Sequence, residues 1–358
     1  MTTIGAAMIL SIQYLRALAA LMVVLFHAVD GPNRLGADAD LPGFRAGTAG
    51  VDLFFVISGF IIWWTTRDGR AGPADFLRRR VLRVAPLYWL LTLLLTAVAI
   101  AAPQILGSTR FDPAHLLASL LFLPWPHPTL GHDNPVLFVG WTLNYEMAFY
   151  ALFALVLPLR GGRRLAAALS ILGGLALLGL ALPEGGMAWY WTRPIILEFA
   201  AGLGLGALAE RGWRFSRLEA LCVGAAGMAL LLWAGAVLPE HAPQTGLAAA
   251  IVVMAAVFGR GETQKAPGSL GRLFAFLGDA SYSIYLTHIL VLPVVQIVWA
   301  RLGLPVAGAA GLAYPLAALA ACSAAGAACY LFVERPLGAL LSGRRRTPRA
   351  ALGAGASA

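Results

Sequence analysis

Charged residues are scarce in this 358-residue chain: they make up 12% of it, whereas hydrophobic residues make up 59%. A water-soluble domain carries about a quarter charged residues, so this composition excludes an ordinary soluble fold. The apolar residues fall into runs long enough to cross a bilayer, which takes about 20 residues per helix. The chain also lacks the alternating segments of about ten residues that build a membrane β-barrel. We therefore predict an all-α, polytopic membrane bundle.

The apolar runs predict ten transmembrane helices. Their expected bounds are 9–29, 48–66, 82–102, 138–157, 165–182, 194–209, 218–237, 244–259, 280–300 and 307–333. A shorter apolar stretch at 114–123 is interpreted as an interfacial or re-entrant piece. We predict one transmembrane domain over 1–337, followed by a basic and then Ala/Gly-rich cytoplasmic tail, 338–358, that is disordered. Small residues dominate the last span, so we expect it to pack inside the bundle.

Basic residues are distributed unevenly between the loops, and this orients the predicted bundle. With the N-terminus in the cytoplasm, most of the 26 lysine and arginine residues fall in cytoplasmic segments, as the positive-inside rule requires. Both termini are therefore predicted to be cytoplasmic. The net charge of +9 follows from this topology and requires no nucleic-acid partner. The first apolar run lacks the features of a cleaved signal peptide and is expected to be a retained span.

Cysteine is also scarce. The three cysteines, Cys222, Cys322 and Cys329, lie in apolar runs without a C-x-x-C motif, which favours a role as small packing residues. No histidine is spaced to complete a zinc site with them. The sequence therefore predicts neither thiol chemistry nor a metal.

Two ionisable side chains, Arg16 and His27, interrupt the apolar stretch LRALAALMVVLFHA at 15–28. Their spacing returns them to nearly the same face of an α-helix after about three turns, a rise of roughly 16 Å. Snorkelling of the arginine, or a satisfied hydrogen bond of the imidazole, explains either residue alone. Ionisable groups inside a membrane are costly enough to be functional hypotheses, and two on one stripe favour a site.

Further polar residues are candidates for the same region. They are Asp52 and Ser58 in GVDLFFVISGF, Arg79, Arg80 and Arg83 in RRRVLRVAPLYW, Trp141 and Glu146 in WTLNYEMAFY, and Tyr285 and His288 in DASYSIYLTHIL. Structural interpretations stay open beside the functional ones. Positive-inside anchoring explains most of the arginines, and an interfacial belt explains Trp141. A buried ion pair explains Glu146, and helix packing explains Tyr285 and His288.

Seven segments, taken in order, resemble the acyltransferase-3 family of membrane proteins. They are Arg16-x10-His27, GVDLFFVISGF, RRxxRxxPLYW, WTLxxExxFY, LEFxxG, SYSIYLTH and FVERP. The opening SIQYLRALAALMVVLFHA is most similar to the branch that acetylates bacterial exopolysaccharides. The resemblance covers residues 11 to about 337. It implies a multi-pass protein of the bacterial inner membrane that transfers acyl groups, usually acetyl, to carbohydrate acceptors.

The resemblance also implies roles for the candidate residues. The donor is expected to be acetyl-CoA or another acyl-CoA, without a metal. Its phosphates would bind Arg16, Arg79, Arg80 and Arg83. The catalytic residues would be His27, Arg16 and Glu146, with neutral imidazole suited to act as a base near neutral pH; a covalent acyl-histidine is an alternative. The acceptor would meet Asp52, Ser58, Trp141, Tyr285 and His288, and polysaccharide assembly proteins are expected partners.

Two other functions stay open from the residues alone. Ten helices with intramembrane charges also suit a transporter or flippase for a saccharide or lipid-linked glycan, although the paired repeats common in transporters are absent from the sequence. A non-catalytic subunit of a polysaccharide export assembly would tolerate replacement of His27, whereas an acyltransferase that depends on this imidazole would not.

Overall fold

The computed structural model describes residues 3–34, 43–70, 72–106, 109–129, 131–259, 267–306 and 312–341. These ranges are mostly helical and contain no β-strand. The α-helices are α1 (Thr3–Arg34), α2 (Ala49–Thr66), α3 (Pro73–Ala101), α4 (Pro113–Leu120), α5 (Trp141–Val156), α6 (Gly161–Gly179), α7 (Gly186–Thr192), α8 (Leu197–Glu210), α9 (Arg217–Val237), α10 (Pro243–Phe258), α11 (Ser269–Arg301), α12 (Ala313–Cys329) and α13 (Arg335–Leu341). A π-helical turn, Tyr330–Glu334, joins α12 to α13.

The predicted polytopic helical bundle is confirmed. Among the described residues, eight helical segments are long and apolar enough to cross a membrane. Helices α5 and α10 have 16 residues each and also coincide with predicted spans. The predicted interfacial stretch is the short helix α4. The first residues of the last predicted span, 307–311, and the tail from residue 342 onward lie outside the described residues, whereas 338–341 belong to α13.

Two helices begin about ten residues earlier than their apolar runs. Helix α3 starts at Pro73 and α11 at Ser269, rather than at the predicted residues 82 and 280. The early turns of α3 are rich in arginine, which the hydropathy pattern assigns to a loop, whereas those of α11 are mostly apolar and carry one arginine, Arg272. Proline fits the first helical turn, where its missing N–H has no intrahelical partner. The arginines at 78–83 therefore lie on the wall of a continuous helix instead of in the loop that precedes it.

The prediction that the last span packs inside the bundle is wrong. Only one stripe of α12 is buried, including Ala318, Cys322 and Gly326, and it packs against α11. The adjoining faces expose Leu316 and Phe332 to 66% and 78%. Small residues permit close contact on one side only, and the remaining faces of this segment carry lipid-compatible apolar side chains.

Small residues set the closest helix crossings, as expected in a membrane where apolar burial alone does not drive association. The most extensive contacts join α1 to α11, α2 to α8, α11 to α12, and α9 to α10. At the crossing of α2 and α8, Gly59 and Gly202 face each other, and a Cβ on either would lie within 2.3 Å of a backbone oxygen of the other helix. Helices α1 and α11 make a similar approach, with Gly278 against the carbonyl oxygen of Gln13.

Candidate functional site

A cavity of about 450 Å³ lies between α1, α2, α3, α5 and α11. One face of α2 lines it, since Phe54, Ser58 and Ile61 recur at the three- to four-residue spacing of a helix. We call the end that contains Arg16, Arg80 and Arg83 the arginine end, and the opposite end, which points towards His27, the histidine end. The cavity thus runs lengthwise between helices, so a long, narrow molecule could occupy it.

At the arginine end, a short hydrogen-bond chain holds Arg16. The Gln13 amide donates to Asp279 at 2.6 Å, and its oxygen accepts from the Arg16 guanidinium at 3.3 Å. Gln13 and Arg16 are three residues apart and share one face of α1, while Asp279 comes from α11. The chain therefore fixes the position of a cation against the crossing of α1 and α11.

A second chain joins Arg83 to the last part of the protein. The Arg83 guanidinium and the buried Glu334 carboxylate form an ion pair at 2.5 Å. The Ser283 hydroxyl donates to the other oxygen of Glu334 at 2.5 Å. An ion pair thus joins α3 to the π-helical turn, within the FVERP segment. A buried carboxylate requires such partners because desolvation penalises its charge.

Arg80 faces both the cavity and a smaller, adjoining pocket of about 260 Å³. Its guanidinium donates to the Thr65 hydroxyl at 3.1 Å and lies 5.4 Å from the centre of the Phe76 ring. Arg70 and Arg79 also line the smaller pocket. The predicted arginine cluster is therefore divided: Arg80 lies between the two spaces, Arg83 lines only the larger, and Arg79 lines only the smaller.

Glu146 lies midway along the cavity. The Ser58 hydroxyl donates to it at 3.0 Å, and the Tyr150 hydroxyl donates to the same carboxylate oxygen. Ser58 belongs to α2, whereas Tyr150 is four residues after Glu146 on α5. Glu146 is thus a hydrogen-bond acceptor facing the cavity.

His27 and His288 lie just beyond the histidine end and contact each other. His288 Nδ1 lies 2.6 Å from the Tyr285 carbonyl oxygen, which can only accept, so this nitrogen carries the proton of the buried ring. In the neutral ring, His288 Nε2 is then an acceptor, 3.4 Å from His27 Nδ1. The Val23 carbonyl oxygen also faces His27 Nδ1, at 3.0 Å. With the proton on Nδ1, the His27 ring would face both acceptors with that N–H and carry its lone pair on Nε2.

Asp52 and Trp141 belong to a separate cluster outside the cavity lining. The buried Asp52 accepts from His241 Nδ1 at 3.0 Å. The His241 ring lies 5.1 Å from the Trp141 ring. The buried Glu198 carboxyl interacts with Asp52 from α8. This cluster links α2, α5, α8 and the connection between α9 and α10.

Helix α4 and the connection that follows it bring two histidines together. The rings of His115 and His127 lie 5.1 Å apart. Burial lowers the pKa of His127 from its ordinary value of 6.5, and the nearby His115 and His132 lower it further. Within the described ranges, no group of three or more His, Cys, Asp or Glu side chains could hold a metal ion.

The structure therefore brings part of the predicted site together. Along one cavity it places Arg16, Arg80, Arg83, Ser58, Glu146 and Tyr285. His27 and His288 form a pair next to it, and Arg79, Asp52 and Trp141 lie elsewhere. Sequence reasoning missed Gln13, Ser283 and His241. The spacing of Gln13 to Arg16 could have revealed the first, whereas the loop position of His241 carries no comparable signal.

Comparison with known proteins shows similarity along almost the whole chain. The acyltransferase-3 family model, described as an acyltransferase domain, matches residues 9–334. The exopolysaccharide production protein ExoZ of Rhizobium meliloti (strain 1021) is 37% identical over 340 residues, 92% of this chain and 98% of that protein. The acyltransferase MdmB of Streptomyces mycarofaciens is 30% identical over 342 residues, 84% of this chain and 83% of that protein. No solved structure matches the chain.

Proposed function

The chain belongs to the acyltransferase-3 family of membrane O-acyltransferases. On that premise, we propose that it transfers an acetyl group from cytoplasmic acetyl-CoA to a hydroxyl of an exopolysaccharide or other cell-surface sugar. The name of the Rhizobium meliloti relative supports this acceptor class. The observation that carries the proposal is the cavity that leads from the arginine end towards the histidine pair. The proposed location is the bacterial inner membrane, where polysaccharide assembly proteins are candidate partners.

The arginine end is the proposed site for the head of acyl-CoA. Arg79 and Arg80 line the smaller pocket and would bind the CoA phosphates there, because guanidinium groups donate paired hydrogen bonds to phosphate oxygens. Arg83 and Arg16 would bind at the entrance to the larger cavity. A basic site fits a donor that carries several negative charges and approaches from the cytoplasm.

The larger cavity is the proposed site for the pantetheine arm of CoA. This arm contains two amide N–H groups, and Glu146 offers a carboxylate at mid-cavity to accept from one of them. Ser58 and Tyr150, which already donate to Glu146, would hold that carboxylate in place. The arm would direct the thioester towards His27, which lies about 16 Å along α1 from Arg16.

His27 is the proposed general base. Its Nε2 lone pair would take the proton from an acceptor hydroxyl, whose oxygen then forms a bond with the thioester carbonyl carbon as the carbon–sulfur bond breaks. The proton returns to the departing sulfur and yields free CoA. His288 would orient the His27 ring through Nδ1, as partners of catalytic histidines do. An acyl-histidine intermediate is the alternative form of the same proposal.

The acceptor is proposed to bind at the histidine end. Tyr285 lies at this end of the cavity, and His288 lies one turn further along α11. Trp141 offers an apolar ring face of the kind that stacks on sugar C–H groups, beside His241 and Asp52. This aromatic and acidic neighbourhood suits a polyhydroxylated ligand better than an apolar one.

The test is transfer of labelled acetyl from acetyl-CoA to glycan by the purified protein in vesicles. Wild type should label the host glycan and release CoA, whereas His27→Ala should lose at least a hundredfold in rate, the usual size of a general-base effect. His132→Ala, a change to an exposed loop histidine, is the matched control and should retain activity. Glycan that crosses the membrane without acetyl transfer would instead identify a transporter. Full activity of His27→Ala would refute the role of this histidine.

A further inference from the structure

The cavity ends before it reaches His27. Four residues of α11 line it, and Tyr285 is the last of them towards the histidine end. His288, one turn further along, contacts His27 outside the cavity lining. The rings of Tyr285 and His288 are 5.8 Å apart. A molecule that enters at the arginine end must therefore pass the level of Tyr285 before it reaches the histidine pair.

Phe54 lies at this level on the opposite side of the cavity. Its ring meets the Tyr285 ring edge-to-face, with centroids 5.9 Å apart, so that α2 and α11 touch across the end of the cavity. Phe54 is half-buried, as expected of a side chain that also faces the cavity. It packs against all three apolar clusters of the protein. The two rings therefore narrow the cavity at this level, and the lining residue Val51 lies one turn beyond Phe54 on the histidine side.

The two rings are held in different ways. The Tyr285 hydroxyl is bonded to the Thr142 hydroxyl and donates to the Val139 carbonyl oxygen, each at 3.1 Å. These bonds tie Tyr285 to the start of α5 and resist its rotation. Phe54 has no polar atom and is held by apolar contacts with the three clusters. One ring of the pair is thus held by hydrogen bonds and the other by packing.

We propose that Phe54 and Tyr285 form a constriction that selects the acyl group by its width. This inference rests on the proposed function. The acyl group precedes the thioester sulfur into the cavity and would have to pass between the two rings to meet His27. An unbranched chain presents the width of a single methylene, whereas a chain branched next to the carbonyl presents two methyl groups side by side. The constriction therefore favours acetyl and unbranched acyl groups over α-branched ones.

Butyryl-CoA and isobutyryl-CoA test this proposal, because their acyl groups contain the same atoms and differ in width. Wild type should prefer butyryl-CoA to isobutyryl-CoA by at least tenfold in kcat/KM for transfer to glycan. Phe54→Ala should reduce that preference to less than threefold. Phe54→Leu, a smaller change that preserves apolar contacts, should give an intermediate value if Phe54→Ala fails to fold. Ile61→Ala, which enlarges the cavity about two turns away on α2, is the matched control and should keep the wild-type preference.

The outcomes separate this proposal from the proposed function. A wild-type protein that transfers no acetyl from acetyl-CoA refutes the function itself. A wild-type protein that transfers acetyl but uses the two four-carbon donors equally, or uses neither, refutes the constriction alone. The constriction is also refuted if a folded, active Phe54 variant keeps the tenfold preference, or if Ile61→Ala loses it.

Discussion

Replacing Gly202 with alanine should weaken the crossing of α2 and α8. A Cβ at this position would lie 2.1 Å from the Val56 carbonyl oxygen and 2.7 Å from the Phe60 nitrogen. Both obstacles are backbone atoms, which cannot rotate away, so the two helices must separate. Overpacking of this kind costs about 1–3 kcal/mol and sometimes more. The alternative of leaving the helices in place would require an overlap that real structures do not show.

Gly204 provides the matched control on the same helix, because a Cβ there meets nothing within 4 Å. Both substitutions gain the helix propensity of alanine over glycine, about 1 kcal/mol, so this gain cancels in the comparison. Gly202→Ala should therefore be less stable than Gly204→Ala by about 1–3 kcal/mol. Thermal unfolding in detergent, followed by intrinsic fluorescence, measures the difference.

The same substitution should affect transfer, because Gly202 faces Gly59, the residue after Ser58. Separation of α2 from α8 would displace Ser58 from the Glu146 carboxylate that it contacts at 3.0 Å. Acetyl transfer should therefore fall in Gly202→Ala and persist in Gly204→Ala. Equal melting temperatures for the two variants would refute the reasoning, since the close helix approach would then carry no energetic consequence.

Two further predictions concern stability. Arg83→Ala should lower the free energy of unfolding by about 1–3 kcal/mol, because it removes a partner from the buried Glu334. Adding Glu334→Gln should recover most of this stability, measured by thermal unfolding, but should not recover the affinity for acetyl-CoA, measured as KM. No recovery of stability in the double variant would contradict the ion-pair argument. The pKa of His127 lies below that of an unfolded histidine, so the unfolded state binds protons more readily as the pH falls through about 6.5 and stability is lost there. His127→Asn should therefore lose less melting temperature than wild type between pH 7.5 and 5.5, and equal losses would contradict this.

The helices could be predicted from sequence because long apolar runs admit few other structures in a membrane. Their ends could not, since hydropathy measures what lies in lipid and not where helical hydrogen bonding stops. Helix α3 shows the difference: its first turns carry arginines and are helical although they precede the apolar run. The small residues of α12 similarly indicated that this helix contacts a neighbour closely. They did not indicate that only one of its faces makes that contact.

The candidate site shows which part of a site depends on local spacing. Arg16 and His27 share a face of α1, and that relation follows from the helical period. Spacing along α2 also separates Asp52 from Ser58, since six residues of an α-helix bring a side chain to a very different face. The contact between His27 and His288 joins α1 to α11, and no periodicity within either helix contains it. It is set by how those two helices cross.

The π-helical turn at Tyr330–Glu334 corrects an angular mismatch along the last helical segment. Eight residues separate Gly326, on the stripe that packs against α11, from Glu334. In an unbroken α-helix this distance would turn Glu334 about 80° past that stripe. The wider turn absorbs the excess because each of its hydrogen bonds spans five residues instead of four. One continuous helical segment can therefore present both its small-residue packing face and the Glu334 carboxylate on the same side.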